Sequence, residues 1–419
     1  MRMERESCCN DILCNYINGK YYRITNSVKK EEIEMAKKEK LKGFSSFLNN
    51  PVDFTLVITT LLLLSIGLVM VLSASSPTSL QESGNSYQYF IRQLFFAILG
   101  LIGMYFASKV DYRIFQKFYK HAWWLSVILL AAVLVIGIEG KGAKRWISLG
   151  FTTFQPSELV KFLMIVFYAG ILVKNRNELG KFFKGLIKHV LFLVPIIVLL
   201  LLEPHVSTSM VIIITCCIMI IVAGCKFWQA LLCGIVGGGA IGSIATVLYF
   251  VSEKFQSKFQ YAVTRITTFL DPWKYASDEG WQVIQSLYAI GSGGLFGTGL
   301  GDSKQKYLYL PEPHNDFIFS VLAEELGFVG CFVVFVLFAI FIWRGILIAI
   351  KAPDMFGSLV AVGITSLVGI QAIINVAVVT SSMPATGMQL PFFSYGGTAL
   401  LILLCEVGVL LSISRASAK

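Results

Sequence analysis

The 419 residues are 56% hydrophobic and only 14% charged, with a mean hydropathy of +0.71 and a formal net charge of +10. So few charged groups cannot keep a chain of this length in solution, which excludes a soluble multidomain enzyme and leaves an all-α polytopic membrane protein. The nine cysteines sit in or beside apolar runs or, as Cys8, Cys9 and Cys14, in the N-terminal tail without zinc-ligand spacing. Neither a disulfide framework nor a metal finger is predicted.

Residues 1–50 read as a basic cytoplasmic tail with ten Lys and Arg, too polar near its start for a cleavable signal peptide. Its basic second half suits anionic membrane lipids, although a topology signal is its first expected role. Ten apolar segments come next, each near the roughly 20 residues that cross hydrocarbon. They are Phe54–Ser73, Phe90–Ala107, Trp123–Ile138, Ser157–Leu172, Leu186–Leu202, Ser207–Ala223, Phe227–Val251, Asp316–Trp343, Gly357–Thr380 and Ser394–Ile413. Pro195 is expected to kink the fifth. Residues 51–415 thus form a predicted ten-helix domain, with 252–315 as a large extracytoplasmic loop and 416–419 as a short cytoplasmic tail.

Short loops set the orientation. Those after segments 2, 4, 6 and 8 carry Lys109, Arg113, Lys117 and Lys120; Lys174, Arg176, Lys181 and Lys184; Lys226; and Arg344 and Lys351, whereas those after segments 1, 5 and 9 carry no Lys or Arg. Both termini are therefore predicted to be cytoplasmic. Two outward loops break the rule: GKGAKRWISLG, with Lys141, Lys144 and Arg145, and the long loop, with Lys254, Lys258, Arg265, Lys274, Lys304 and Lys306. Long loops translocate whatever their charge, so the short loop is the stronger sign of an anionic partner outside.

No phosphate-cradling GxxxxGK[ST], HExxH or GxSxG is present. The glycines Gly291 to Gly301 match no nucleotide-loop register and read as flexible or close-packed backbone, and the four histidines are scattered. Nothing points to a nucleotide or nucleic-acid partner. What remains is polar residues that are costly at or near lipid depth, and these are the functional candidates. They concentrate in Trp281–Gly330, where Asp316 stands between a Pro-Glu-Pro-His run and Phe317-Ile318-Phe319. Capping of the eighth helix is its plain structural role. Glu324 and Glu325, farther along, need partners if buried. In Gln155-Pro156-Ser157-Glu158-Leu159-Val160-Lys161, proline and an i,i+3 ion pair make a competent helix start. The alternative is that Lys161 joins Lys144 and Arg145 on an outer-leaflet phosphate. Gln371, Asn375 and Glu406 read as interhelical hydrogen-bonders.

Five blocks in order, GKGAKRWISLG-x4-QPSELVKF, RITTFLDPW, GWQVIQSLYAIGSGGLFGTGLG, YLPEPHNDFIFSVLAEELG and LPFFSYGGTAL, resemble the SEDS family of shape, elongation, division and sporulation proteins. KQKYLYLPEPHNDFIF is closer to its FtsW/SpoVE branch than to RodA. The resemblance implies a peptidoglycan glycosyltransferase that joins lipid II units at the outer face of the cytoplasmic membrane and releases undecaprenyl pyrophosphate. It implies Asp316 as the essential acid, and substrate-site roles for Trp146, Glu158, Lys161 and Arg265. It also implies a class B penicillin-binding protein as partner and a divalent cation, Mg or Mn, with no organic cofactor. On this reading Asp316 deprotonates the acceptor hydroxyl in one inverting displacement, and Lys144, Arg145, Lys161 and Arg265 clamp the pyrophosphate. A lipid II transporter and a non-catalytic scaffold for the penicillin-binding protein are the alternatives. Two departures stand out: Glu203-Pro204-His205-Val206-Ser207-Thr208 replaces the family's (Q/E)PD-x-GT, and Tyr261-Ala262 replaces a Tyr-Arg before the Arg265 block.

Overall fold

The structure, a computed structural model, describes residues 50–417 other than 141–142, 149, 151, 180–186, 204, 227, 229–263, 266, 277–279 and 308. The chain divides into Met1–Pro51 with Ala418–Lys419, and Val52–Ser417. The predicted tails, 1–50 and 416–419, lie outside the described residues apart from Asn50, Ala416 and Ser417, and Val52–Ser417 is the unit that holds the helices.

Its helices are α1 (Phe54–Ser83), α2 (Gln88–Lys109), the short α3 (Arg113–Lys117), α4 (Tyr119–Ile136), α5 (Pro156–Lys174), α6 (Lys188–Leu202), α7 (Val206–Val222), α8 (Trp281–Gly293), α9 (Ile318–Lys351), α10 (Met355–Val379) and α11 (Gly397–Ser417). Seven of these are long and apolar enough to cross a membrane, and α6 and α7 are apolar but shorter. Nine predicted segments coincide with helices; the seventh, Phe227–Val251, lies outside the described residues apart from Trp228. The protein is a polytopic helical membrane protein. Its core is built where α2 packs on α11, α4 on α5, and α9 on both α10 and α1.

Two polar contacts between α1 and α9 mark the thickness of the apolar zone. At one end Arg344 forks onto Asp53, with Nε 2.9 Å from Oδ2 and 3.1 Å from Oδ1, while Asp53 also caps α1 through the Leu56 amide. At the other, the Ser73 hydroxyl donates to Glu325 Oε1 at 2.6 Å. The two contacts are roughly 20 residues apart on each helix, about 30 Å of rise, which matches the hydrocarbon core. Glu325 thus sits at an interface, and the first two turns of α9 project beyond it.

Helix α9 breaks where it passes that interface. Gly327 has φ 66° and ψ −167°, outside helical space. A break at this depth strands backbone groups, which must find partners inside the protein. The Gly294–Gly299 turn supplies them: Thr298 N and Gly299 N donate to the Glu324 and Glu325 carbonyls at 2.9 and 3.1 Å, and Phe328 N and Val329 N donate to the Gly294 and Leu295 carbonyls at 2.9 and 3.1 Å. This approach needs glycine on both sides. A Cβ on Gly297 would lie 2.1 Å from the Glu325 oxygen, and one on Gly327 2.3 Å from the Gly297 nitrogen. Close-packed backbone, one of the two readings of these glycines, is what forms.

Two features depart from the predicted layout. The span 252–315 is not simply a loop, because it contains α8, which packs along α9. The outward GKGAKRWISLG stretch forms an antiparallel sheet, β1 (Ile138–Gly140), β2 (Ala143–Ser148) and β3 (Thr153–Phe154), in that order. Alternation in Lys144-Arg145-Trp146-Ile147-Ser148 suits a half-exposed strand, and reading the stretch as a mere connection overlooked it.

Candidate active site

Asp316 lies two residues before α9 and is half-buried. Its own backbone is fixed from behind: Asn375 Nδ2, on α10, donates to the Asp316 carbonyl at 2.8 Å and to the Met388 carbonyl at 2.6 Å. The Ser394 hydroxyl donates to the Asn315 carbonyl at 2.7 Å, and the Tyr395 amide donates to the His314 carbonyl at 2.8 Å. Gln93 on α2 then brackets the turn, its amide donating to the Ser394 carbonyl at 3.2 Å and accepting from Gly396 N at 3.1 Å. Asp316 does not occupy the cap position of α9, which falls on Phe317 and carries no side-chain cap bond.

The segment Ala385–Gln389, between α10 and α11, is the spine that gathers the candidates. Arg265 Nη1 donates to the Ala385 carbonyl, and Ser207 Oγ to the Thr386 carbonyl. Gly387, at φ 68°, leaves room for Asp316, whose Oδ2 is 3.3 Å from where a Cβ would stand. Met388 is held by Asn375, and Gln389 lines a cavity with Glu158, Lys161 and Glu406. These residues thus meet Arg265, Ser207 of α7, Asp316 and Asn375 of α10, and Gln389 shares a cavity with the α5 pair. Sequence reading missed this spine, and its available signal was Pro384 and Gly387 between two apolar runs.

The remaining candidates divide. On β2, alternation puts Lys144 and Trp146 on one face and Arg145 on the other. Arg145 Nε donates to the Glu203 carbonyl at 3.4 Å, joining the sheet to the Glu203–Thr208 turn, while Lys144 is exposed and Trp146 half-buried. Lys161 is 5% exposed and its ammonium lies 2.7 Å from Glu158 Oε2, inside the bundle. Arg265 borders a different space, an open pocket of about 230 Å³ with Phe269, Trp281, Gln282 and Pro311 in its walls. A wall that combines a cation with aromatic rings suits a sugar with an attached anion.

Glu203 and His205, just before α7, carry unusual electrostatics. Burial pushes the Glu203 carboxyl up to about 8, with Arg145 opposing it, and burial together with Arg145 and Lys161 pushes His205 down to about 3. Both are therefore neutral near pH 7. Glu203 Oε1, His205 Nδ1 and Asn375 Oδ1 are buried without a hydrogen-bond partner among the described residues. Among those residues no three Asp, Glu, His or Cys side chains converge as a metal site, so the donors present do not fit a divalent cation held by protein side chains alone.

Residues 54–419 match the FtsW/RodA/SpoVE family of cell cycle proteins. The chain is 42% identical over 368 residues to stage V sporulation protein E of Bacillus subtilis, covering 87% of this chain and 97% of that one. It is 41% identical over 364 residues to a probable peptidoglycan glycosyltransferase FtsW of Geobacter sp. (strain M18), covering 86% and 96%. Among solved structures it is similar to a chain from a peptidoglycan synthase complex that coordinates polymerisation and crosslinking, with TM-score 0.71 and 27% identity over 87% of this chain and 98% of that chain. Thermus thermophilus RodA gives a TM-score of 0.63 at 27% identity, over 87% and 97%. The Asp316 turn, its spine and the bundle beneath them are therefore those of a member of the FtsW/RodA/SpoVE family, to which this chain belongs.

Proposed function

We propose that this protein polymerises lipid II into glycan strands, with Asp316 as general base. The observation that carries the reading is the position of Asp316. Its backbone is fixed by Asn375 and Ser394, its carboxylate faces the space left at Gly387, and the apolar zone begins about 10 Å below. A lipid-linked sugar reaches that height while its polyprenyl tail stays in the membrane. Asp316 takes the proton of the acceptor hydroxyl as that oxygen bonds to the donor's anomeric carbon. The bond from that carbon to the pyrophosphate oxygen breaks, and undecaprenyl pyrophosphate leaves with the electron pair and inversion at carbon. One base and a good leaving group require no covalent enzyme intermediate.

Arg265, held on the Ala385 carbonyl, and Arg145, held on the Glu203 carbonyl, are the cations in this reading for the pyrophosphate, with Lys144 exposed beside Arg145 on β2. Lys161, closed on Glu158, acts from inside the bundle instead. A divalent cation, Mg or Mn, belongs to this reading only as a companion of the pyrophosphate, since magnesium needs as few as one or two protein oxygens. With ten spans and both termini cytoplasmic, the Asp316 face is extracytoplasmic in this reading. A class B penicillin-binding protein is the partner whose transpeptidase would crosslink the product.

Polymerisation of purified lipid II by wild type and Asp316→Asn, each with and without the penicillin-binding protein, tests the reading. The expected result is polymer from wild type and a loss of about 10²–10⁴-fold in the folded variant. Equal rates would make Asp316 structural, and no polymer from either would bring forward the transporter or scaffold.

A further inference from the structure

Glu406 lies nine residues into α11, is 3% exposed, and accepts no hydrogen bond from any described residue. A carboxyl so deep in a membrane bundle is costly when ionised, and it marks a proton or ion pathway more often than a packing role. The charged groups that face it are Lys161 and Glu158 of α5. Gln371 of α10, Gln389 of the spine and Ser394 of the following turn line the same cavity and are not ionisable, and on α11 itself Cys405 is the further titratable group beside it. On α2, the contact beside Glu406 is Gly103 against Cys405.

Lys161 and Glu158 already close on each other at 2.7 Å and cancel. No ion pair joins Lys161 to Glu406; a cavity of about 30 Å³ separates them, enough for about two waters. An ionised Glu406 would leave the groups lining this space with one uncompensated negative charge. We propose that the cavity is a proton site: Glu406 is held there as the neutral acid, water links it to Lys161, and loss of its proton draws Lys161 away from Glu158.

Position makes this matter for the reaction. The roof of the cavity is the Gln389–Gly396 turn, whose Ser394 holds the Asn315 carbonyl next to Asp316. Glu406 is thus a positioning residue, acting through Lys161 and that turn. The inference rests on the polymerase reading only for its effect on rate, not for the proton itself.

Infrared difference spectra of the full chain in lipid nanodiscs, titrated from about pH 6 to about pH 10, test the proton directly. The expected result is a protonated-carboxyl band at neutral pH that is lost in Glu406→Gln and retained, shifted, in Glu406→Asp. Subtraction of the variant spectrum removes the band of Glu203, which is also protonated there. In lipid II polymerisation, wild type should slow toward alkaline pH, with kcat falling and KM unchanged, and Glu406→Gln should lose that decline. An unchanged band in Glu406→Gln overturns the proposal, as does a wild-type rate that follows sodium concentration instead of pH. Superimposable pH profiles overturn the positioning role. If wild type makes no polymer, the polymerase reading fails while the band still decides the proton.

Discussion

The break in α9 and the Asp316 turn lie only about three helical turns apart, and they treat polar groups in opposite ways. At the break most groups are answered, with Glu325 Oε2 and Gln305 Oε1 the buried oxygens there left without a hydrogen-bond partner among the described residues. Glu324 accepts from Ser303 Oγ at 2.5 Å and from Lys304 N at 2.9 Å, and Glu325 accepts from Ser73 and, at 2.8 Å, from Lys306 Nζ. Lys306, 3% exposed, also donates to Ser73 at 2.9 Å and to the Gly301 carbonyl at 2.5 Å. Around Asp316 the backbone is held as firmly, yet side-chain capacity on Glu203, His205 and Asn375 goes unused within the described residues. A region that closes its ion pair and most of its hydrogen bonds internally is built to hold shape. One that pins its backbone and leaves polar atoms unanswered is ready for a ligand.

The largest expected effect comes from attacking the break at its tightest point. Gly327→Val puts a side chain at positive φ and against the Gly297 backbone. It should cost about 4 kcal/mol or more, read as loss of the folded fraction in detergent. Next is Lys306→Met, which buries Glu325 without its cation and should cost about 3–5 kcal/mol in thermal unfolding. Lys306→Met with Glu325→Leu should recover most of that, because an apolar pair replaces a buried ion pair at little cost. If the double variant stays as unstable as the single, the clasp is not a closed structural pair and the contrast with the Asp316 turn collapses.

Asn375→Leu sharpens the other side of the contrast. It removes both hydrogen bonds that tie the Asp316 carbonyl to Met388. Stranding those carbonyls should cost about 1–3 kcal/mol. Displacing Asp316 by about an ångström should reduce polymerisation about 10²-fold, well beyond the loss of folded protein. A rate that falls only in step with stability would make Asn375 a packing residue.

These contrasts also explain what could be read from the residues alone. Long apolar runs give nine of the helices, because burial in lipid is a local property of composition. Asp316 stands out because a polar residue is costly near lipid depth, and Arg145 because a short outward loop is expected to carry no cations, whereas Arg265 is picked out only by the family resemblance. The break at Gly327 was hidden, since one glycine between Leu326 and Phe328 is tolerated by a helix and only its partner turn, some 30 residues earlier, makes it a break. Helix α8 was hidden by the glycines that end it, and the Ala385–Gln389 spine by having no charged side chain with which to announce itself. Its contacts run through backbone carbonyls, which every residue has.

The smallest effect, and the most specific, is in the pH dependence of stability around Glu203. Its folded value of about 8 lies above the ordinary 4.5, so the stability it contributes is complete below about pH 4.5 and is lost as pH rises through 8. His205 has the opposite sign. Its folded value of about 3 lies below the ordinary 6.5, so its contribution is complete above about pH 6.5 and is lost as pH falls toward 3. Glu203→Gln should therefore gain in melting temperature over wild type as pH rises from about 5 to about 8 and then level off. His205→Gln should gain only on the acid side, below about pH 6.5. Parallel melting curves for wild type and Glu203→Gln would mean that this carboxyl is already solvated, and that the turn beside Arg145 is as internally satisfied as the break in α9.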